Sequence, residues 1–180
     1  SPLFDVWGFD PLPHHMEPFE SPYRTPELYK EYPYIYTSGH RHIGLFHSEH
    51  RQMPRMREFH KWPMFAIHPD DAAACGIKEG DWAVIENSHG KAMEVAHVTE
   101  TMMKGVISAE HGWWFPERDP EEPSLFGLWE SNINCCTVQG DFGPSGYGSS
   151  YKTQLAKVYP APVGYGAEFE KLYQDHFGNR

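Results

Sequence analysis

Short apolar runs alternate with turn residues across the segment 64–109, and the points where the runs break divide it into short elements. A strand over residues 64–68 leads into one or two helical turns over 69–75. Pro69 suits a first helical position, where its missing N–H costs nothing, and Asp70 and Asp71 sit at the positive end of the helix dipole. Gly76 breaks that helix, and Gly80 turns the chain into a strand over 81–86. Within it Trp82 and Val84 share one face while Ala83 and Ile85 share the other, so both faces are apolar. A strand buried on both sides belongs to a closed or covered sheet. The connection 87–90 supplies Gly90 for a positive φ, residues 91–98 form the next strand, and another spans 106–109. Residues 34–37 and 153–159 complete the strands, and 167–177 form a last helix with Phe169, Leu172, Tyr173 and His176 on one stripe. The expectation is a mainly β fold, a compact barrel with short crossover helices.

Residues 1–31 follow a different pattern. Pro11, Pro13, Pro18, Pro22 and Pro26 interrupt a run that also holds Trp7, Phe9, Phe19, Tyr23 and Tyr29. The prolines exclude long regular elements, whereas the aromatics need covering. The segment reads as an extended interdomain strap on a surface, or as a linker, ahead of one barrel domain over 32–180.

The chain has 180 residues and a formal net charge of -10, with 12 histidines that would move it upward in mild acid. No Lys/Arg run opposes that sign, which argues against a nucleic-acid partner. Cys75, Cys135 and Cys136 make no disulfide framework and fit a reduced interior. Neither an 18-residue apolar span nor a basic and apolar leader is present, so a soluble chain without direct membrane insertion is expected.

Candidate chemistry gathers at strand ends. The strand over 34–37 runs into Ser38, Gly39, His40 and Arg41, a hydroxyl, free amides and a forked donor of the kind that hold an anion. His47, Ser48, His50, Arg51, Gln52, Arg55 and Arg57 follow, a local excess of donors and positive charge in an acidic chain. His40, His42, His47 and His50 lack a cysteine partner at zinc spacing and read as surface or ligand-contact residues. Trp113, Trp114 and Phe115, after His111 and Gly112, are either a core plug or a platform for a flat heterocycle. Asn132 and Asn134 offer amides, and four glycines between 140 and 148 permit close backbone approach to a ligand. No catalytic triad or metal ligand emerges. Donors, glycines and aromatics at strand ends instead fit a large polar, aromatic, anionic ligand.

These pieces, in this order, resemble the C-terminal dinucleotide-binding domain of the large subunit of molybdopterin oxidoreductases, the dimethyl sulfoxide reductase family. The likeness covers nearly the whole chain: the lead-in 11–26, the loop to Arg41, His47-Ser48, Arg51-Gln52, the segment 69–72 with Gly76-Ile77 and Gly80-Asp81, His111-Gly112-Trp113, Asn132-Ile133-Asn134, and 141–146 followed by Lys152. It implies a six-stranded double-psi β-barrel. It also implies a domain closing over bis(molybdopterin guanine dinucleotide) carrying Mo or W, while missing N-terminal domains of the same polypeptide supply the metal ligand and a 4Fe-4S cluster. An iron–sulfur electron-transfer subunit is a possible further partner. By this resemblance Ser38, Gly39, His40 and Arg41 approach the cofactor's polar end, and His47, Ser48, Arg51 and Gln52 face it from the side. His111, Gly112, Trp113, Asn132 and Asn134 line the pterin region, and Ser145, Gly146, Tyr151 and Lys152 form the closing loop. Where typical members carry a second arginine beside Arg41, this chain has His40 and His42, which weakens a paired clamp on the diphosphate. The isolated chain is expected to be inactive. A freestanding double-psi barrel that binds peptide or protein is the alternative.

Overall fold

The computed structural model describes residues 2–10, 12, 14–40, 42–138 and 152–178, with the backbone alone at His40. Its strands are β1 (Tyr34–His40), β2 (Met64–Ile67), β3 (Trp82–Glu86), β4 (Lys91–Val98), β5 (Val106–Glu110) and β6 (Gln154–Pro160). They close into a barrel in the order β1-β5-β2-β4-β3-β6. The β1–β5 and β2–β4 pairs are parallel and the other four antiparallel. Helices α1 (Pro2–Trp7), α2 (Pro26–Glu31), α3 (Pro54–Phe59), α4 (Pro69–Ala74), α5 (Leu128–Ser131) and α6 (Tyr165–Phe177), with a 3-10 turn at Ile133–Cys136, make the connections.

The elements expected over 64–109 are present, and α4 starts on Pro69 with His68 as its cap, accepting from the Asp70 amide at 3.1 Å. Helices α1, α2, α3 and α5 and the 3-10 turn were not foreseen. In α1, α2 and α3 proline occupies the first helical position, so these residues start helices as well as interrupt them. The lead-in is therefore two helices of six residues joined by irregular chain, and neither has a buried residue. Among the described residues no helix is long and apolar enough to cross a membrane.

Two cores account for the double-sided burial of β3. Ala83 and Ile85 point into the barrel with Tyr36, Phe65, Ile67 and Ile107. On the outer side Trp82 stacks on Phe169 of α6 at 5.1 Å between ring centroids. That second cluster also holds Leu45, Trp113 and Phe115. On α6 the buried stripe is Phe169, Tyr173 and Phe177, so Phe177 takes the place expected for His176.

Arg57 joins the outer cluster to the loops. Its guanidinium is fully buried, forks onto Glu117 at 2.7 and 3.1 Å, and donates to the carbonyls of Lys61 and Arg51. The rings of Trp62, Trp113, Tyr173 and Phe177 surround it at 5.2 to 5.7 Å. Gly90 serves a different purpose from the one expected. Its φ is not positive; a Cβ there would lie 2.3 Å from the Cys135 carbonyl oxygen. The glycine lets the 3-10 turn close against the β3–β4 connection, where the Asn87 side chain donates to the Cys136 carbonyl.

Two outcomes follow for stability. Arg57→Ala strands the Glu117 carboxylate in a dry site and should cost about 3–5 kcal/mol in urea unfolding, whereas Arg57→Met with Glu117→Gln recovers much of it. Gly90→Ala should destabilise by about 1–3 kcal/mol through forced displacement of the turn, measured as a lower Tm.

Candidate functional site

Strand direction brings the predicted residues to one end of the barrel. Parallel pairing of β1 with β5 leaves Ser38, Gly39 and His40 beside Glu110 and His111. Antiparallel β6 starts at the same end, which delivers Lys152, and β3 ends there in the connection 87–90. Lys78, before β3, lies toward the opposite end.

A bulge between Ser38 and His40 carries β1 beyond the expected Thr37. Gly39 takes a φ of 106°, and a Cβ on it would come within 3.4 Å of the Lys152 ammonium. Such a bulge turns backbone amides toward the rim and lets a cation approach the main chain. Alongside, Gly112 takes a φ of 71° and its backbone closes against Ser48, where a Cβ would meet the Ser48 Cβ and amide at 3.4 Å. The Ser48 carbonyl accepts from the half-buried Trp114 indole at 2.6 Å. His47 Nδ1 and His111 Nε2 are hydrogen-bonded at 3.0 Å, with His47 and Gln52 exposed to solvent.

Arg51 is not on this surface. Its side chain is fully buried, donates to the carbonyls of Glu49 and His111, faces Glu110 at 3.8 Å and lies 4.8 Å over the Trp113 ring. Burial lowers its pKa to about 10 against the opposing pull of Glu110. Trp113 is likewise fully buried and so acts as a core plug behind His111. Arg55 is exposed and pairs with Glu58 at 3.6 Å. Much of the positive charge expected to face an anion is thus neutralised internally or spent on its neighbours.

Asn132 and Asn134 open onto a groove of about 610 Å³ at the same barrel end, with Trp129, His89 and Cys135 also on its walls. Asn132 Oδ1 caps the 3-10 turn by accepting from the Asn134 amide, so Asn134 holds the freer side chain. Trp129 is 61% exposed and presents a flat apolar wall. Arg41, Ser145, Gly146 and Tyr151 lie outside the described residues.

Sequence reasoning missed a buried acid cluster beneath this end. Glu94 alternates with Ala92 and Ala96 on the barrel-facing side of β4, and neither Glu94 nor Glu110 is exposed. Glu110 meets His60 at 2.6 Å and accepts from the Met64 amide, while its own amide donates to Glu94 at 3.1 Å. The His60 ring stacks on His42 at 4.5 Å. A charged residue on the apolar phase of a strand was the available signal.

The family profile described as "Molydopterin dinucleotide binding domain" matches residues 34–155. A dopamine dehydroxylase of Eggerthella lenta is 44% identical over 83% of this chain and 14% of its own length. An acetylene hydratase of Syntrophotalea acetylenica is 34% identical over 66% of this chain and 16% of its own. The structure titled acetylene hydratase from Pelobacter acetylenicus superposes with a TM-score of 0.83 at 29% identity, covering 89% of this chain and 23% of that one. The match therefore spans only 14% and 16% of the length of these two curated relatives. The closed mixed barrel agrees with the double-psi topology, and the chain belongs to the molybdopterin dinucleotide-binding domain family, related to the dimethyl sulfoxide reductases.

Proposed function

We propose that this chain is the cofactor-closing C-terminal domain of a longer molybdenum or tungsten enzyme that uses bis(molybdopterin guanine dinucleotide). The observation that carries this reading is the bulge at Gly39, whose φ of 106° favours glycine, with the Lys152 ammonium close beside its backbone. Donor chemistry agrees. Ser38, Gly39, His40, Arg41 and Lys152 would meet the anionic dinucleotide end, and His47, Ser48 and Gln52 would flank it. Asn132 and Asn134 would pair with polar pterin edges along the Trp129 groove, while Ser145, Gly146 and Tyr151 would close over the ligand. Arg51 and Trp113 act from behind, holding the backbone of His111 and Gly112. No residue of this chain is proposed as metal ligand or nucleophile.

When bound, the cofactor supplies metal-centred redox or hydration chemistry; this chain binds, orients and shields it. In this reading residues 1–31 lead in from earlier domains, which provide the metal ligand and a 4Fe-4S cluster, and 32–180 form the barrel domain. The chain alone has no turnover. The relatives include a dehydroxylase, a hydratase and a dimethyl sulfoxide/trimethylamine N-oxide reductase, so the proposal is for the shared cofactor and not for one substrate.

Guanosine diphosphate titrated into the chain and followed by NMR should shift the amides of Ser38, Gly39 and His47, with weak affinity. Added salt should reduce it, because exposed charges are screened over about 8–10 Å at 0.1–0.15 M. Lys152→Ala should weaken binding and Lys78→Ala should not. Shifts confined to residues 117–122, or equal losses from both lysine changes, would reject the assignment of this face. In the longer enzyme Asn134→Ala should cost about 1–3 kcal/mol by leaving a cofactor group unpaired, measured as reduced pterin content.

A further inference from the structure

We propose that Glu94 is kept protonated beside Glu110, beneath the His47–His111 pair, and that this buried acid pair positions Arg51 and, through it, His111. Both carboxyl groups are wholly removed from solvent. Glu110 has cationic or potentially cationic company, His60 at 2.6 Å and Arg51 at 3.8 Å. Glu94 has none among the described residues: it accepts from the Glu110 amide, and the other titratable groups facing it are Tyr36 from β1 and Cys136 from the 3-10 turn. Burial holds the Tyr36 hydroxyl and the Cys136 thiol well above their ordinary values, so both are neutral.

Both Arg51 and His60 meet Glu110, and neither meets Glu94. Two ionised carboxyls in one dry site repel each other and forfeit their hydration. The proton belongs on Glu94, because Glu110 makes the contacts that stabilise an anion. Burial, and after it the charge of Glu110, push the Glu94 carboxyl well above the carboxylate range.

The unpartnered atoms agree. Glu94 Oε1, Glu110 Oε1 and Arg51 Nε are buried without a hydrogen-bond partner among the described residues. A protonated Glu94 gains an O–H donor, and Glu110 Oε1 is an acceptor in need of one. The consequence reaches the candidate site through Arg51, whose guanidinium donates to the His111 carbonyl at 3.4 Å and to that of Glu49 at 3.0 Å. Ionising Glu94 adds an uncompensated charge beside Glu110 and draws Arg51 away from both carbonyls.

This inference concerns the chain's own residues and stands apart from the ligand reading. Glutamine copies the shape of a protonated glutamate, so Glu94→Gln isolates the proton. A folded chain that keeps a proton which the unfolded chain releases loses stability as pH rises. Relative to Glu94→Gln, the native folding constant should therefore fall about tenfold for each pH unit above the ordinary carboxylate value, until Glu94 ionises in the folded chain. Across that ionisation the His111 carbonyl resonance, which reports the Arg51 hydrogen bond, should move in the native chain and not in Glu94→Gln. If the variant does not fold, carbon-13 NMR of glutamate carboxyls in the native chain decides: one protonated glutamate should persist at pH 7. Finding none or two, a pH-independent stability difference, or a His111 signal that moves equally in both proteins would overturn the proposal.

Discussion

The buried pairing of Arg57 with Glu117 is the contact on which the arrangement of the barrel's functional end depends. Its guanidinium is held by a carboxylate, two backbone carbonyls and four aromatic rings drawn from separate parts of the chain. A planar fork with five donors can satisfy such surroundings where a lysine cannot. Through it α3, the 117 loop and the end of α6 share one anchor. The Arg51 carbonyl is part of that anchor, so the position of the neighbouring arginine is set at the same time.

Arginine density in this chain is therefore a poor guide to surface charge. Arg51 and Arg57 are structural, each stacked on Trp113 and each matched to an acid from a distant segment. The rim of the candidate site owes its character to backbone geometry and a few exposed donors: the Gly39 bulge, the Gly112 approach to Ser48, Lys152 and the His47–His111 pair. Gly39 and Gly112 take positive φ, which glycine adopts without strain and other residues rarely do.

Beneath that rim Glu94 occupies space inside the barrel that an aliphatic side chain would ordinarily fill. Strand register places it there, since Glu94 shares the inward phase of Ala92 and Ala96, whereas Glu110 comes one residue after the inward Ala109 and turns to Arg51 and His60. Small neighbours leave room for carboxyl groups, and their interaction in a dry setting is strong because little solvent screens it.

The barrel strands were legible in the sequence because their signals are local. Alternation at 82–86, Pro69 ahead of two aspartates, and the glycines at 76 and 80 each act within a few residues, and the structure has elements at those places. The resemblance of ordered motifs likewise identified the family, since spacing along the chain survives without any knowledge of contacts. Tertiary structure alone decided what those residues meet. Gly90 is small because Cys135 approaches from 45 residues away in sequence, and Arg51 faces inward because Glu110 and Trp113 wait there. Trp113 became core while Trp129 became an exposed wall, although both are tryptophans in similarly irregular stretches. Such outcomes depend on which distant groups share a dry volume, and a side chain's type fixes what it can satisfy there, not whether it will be taken there.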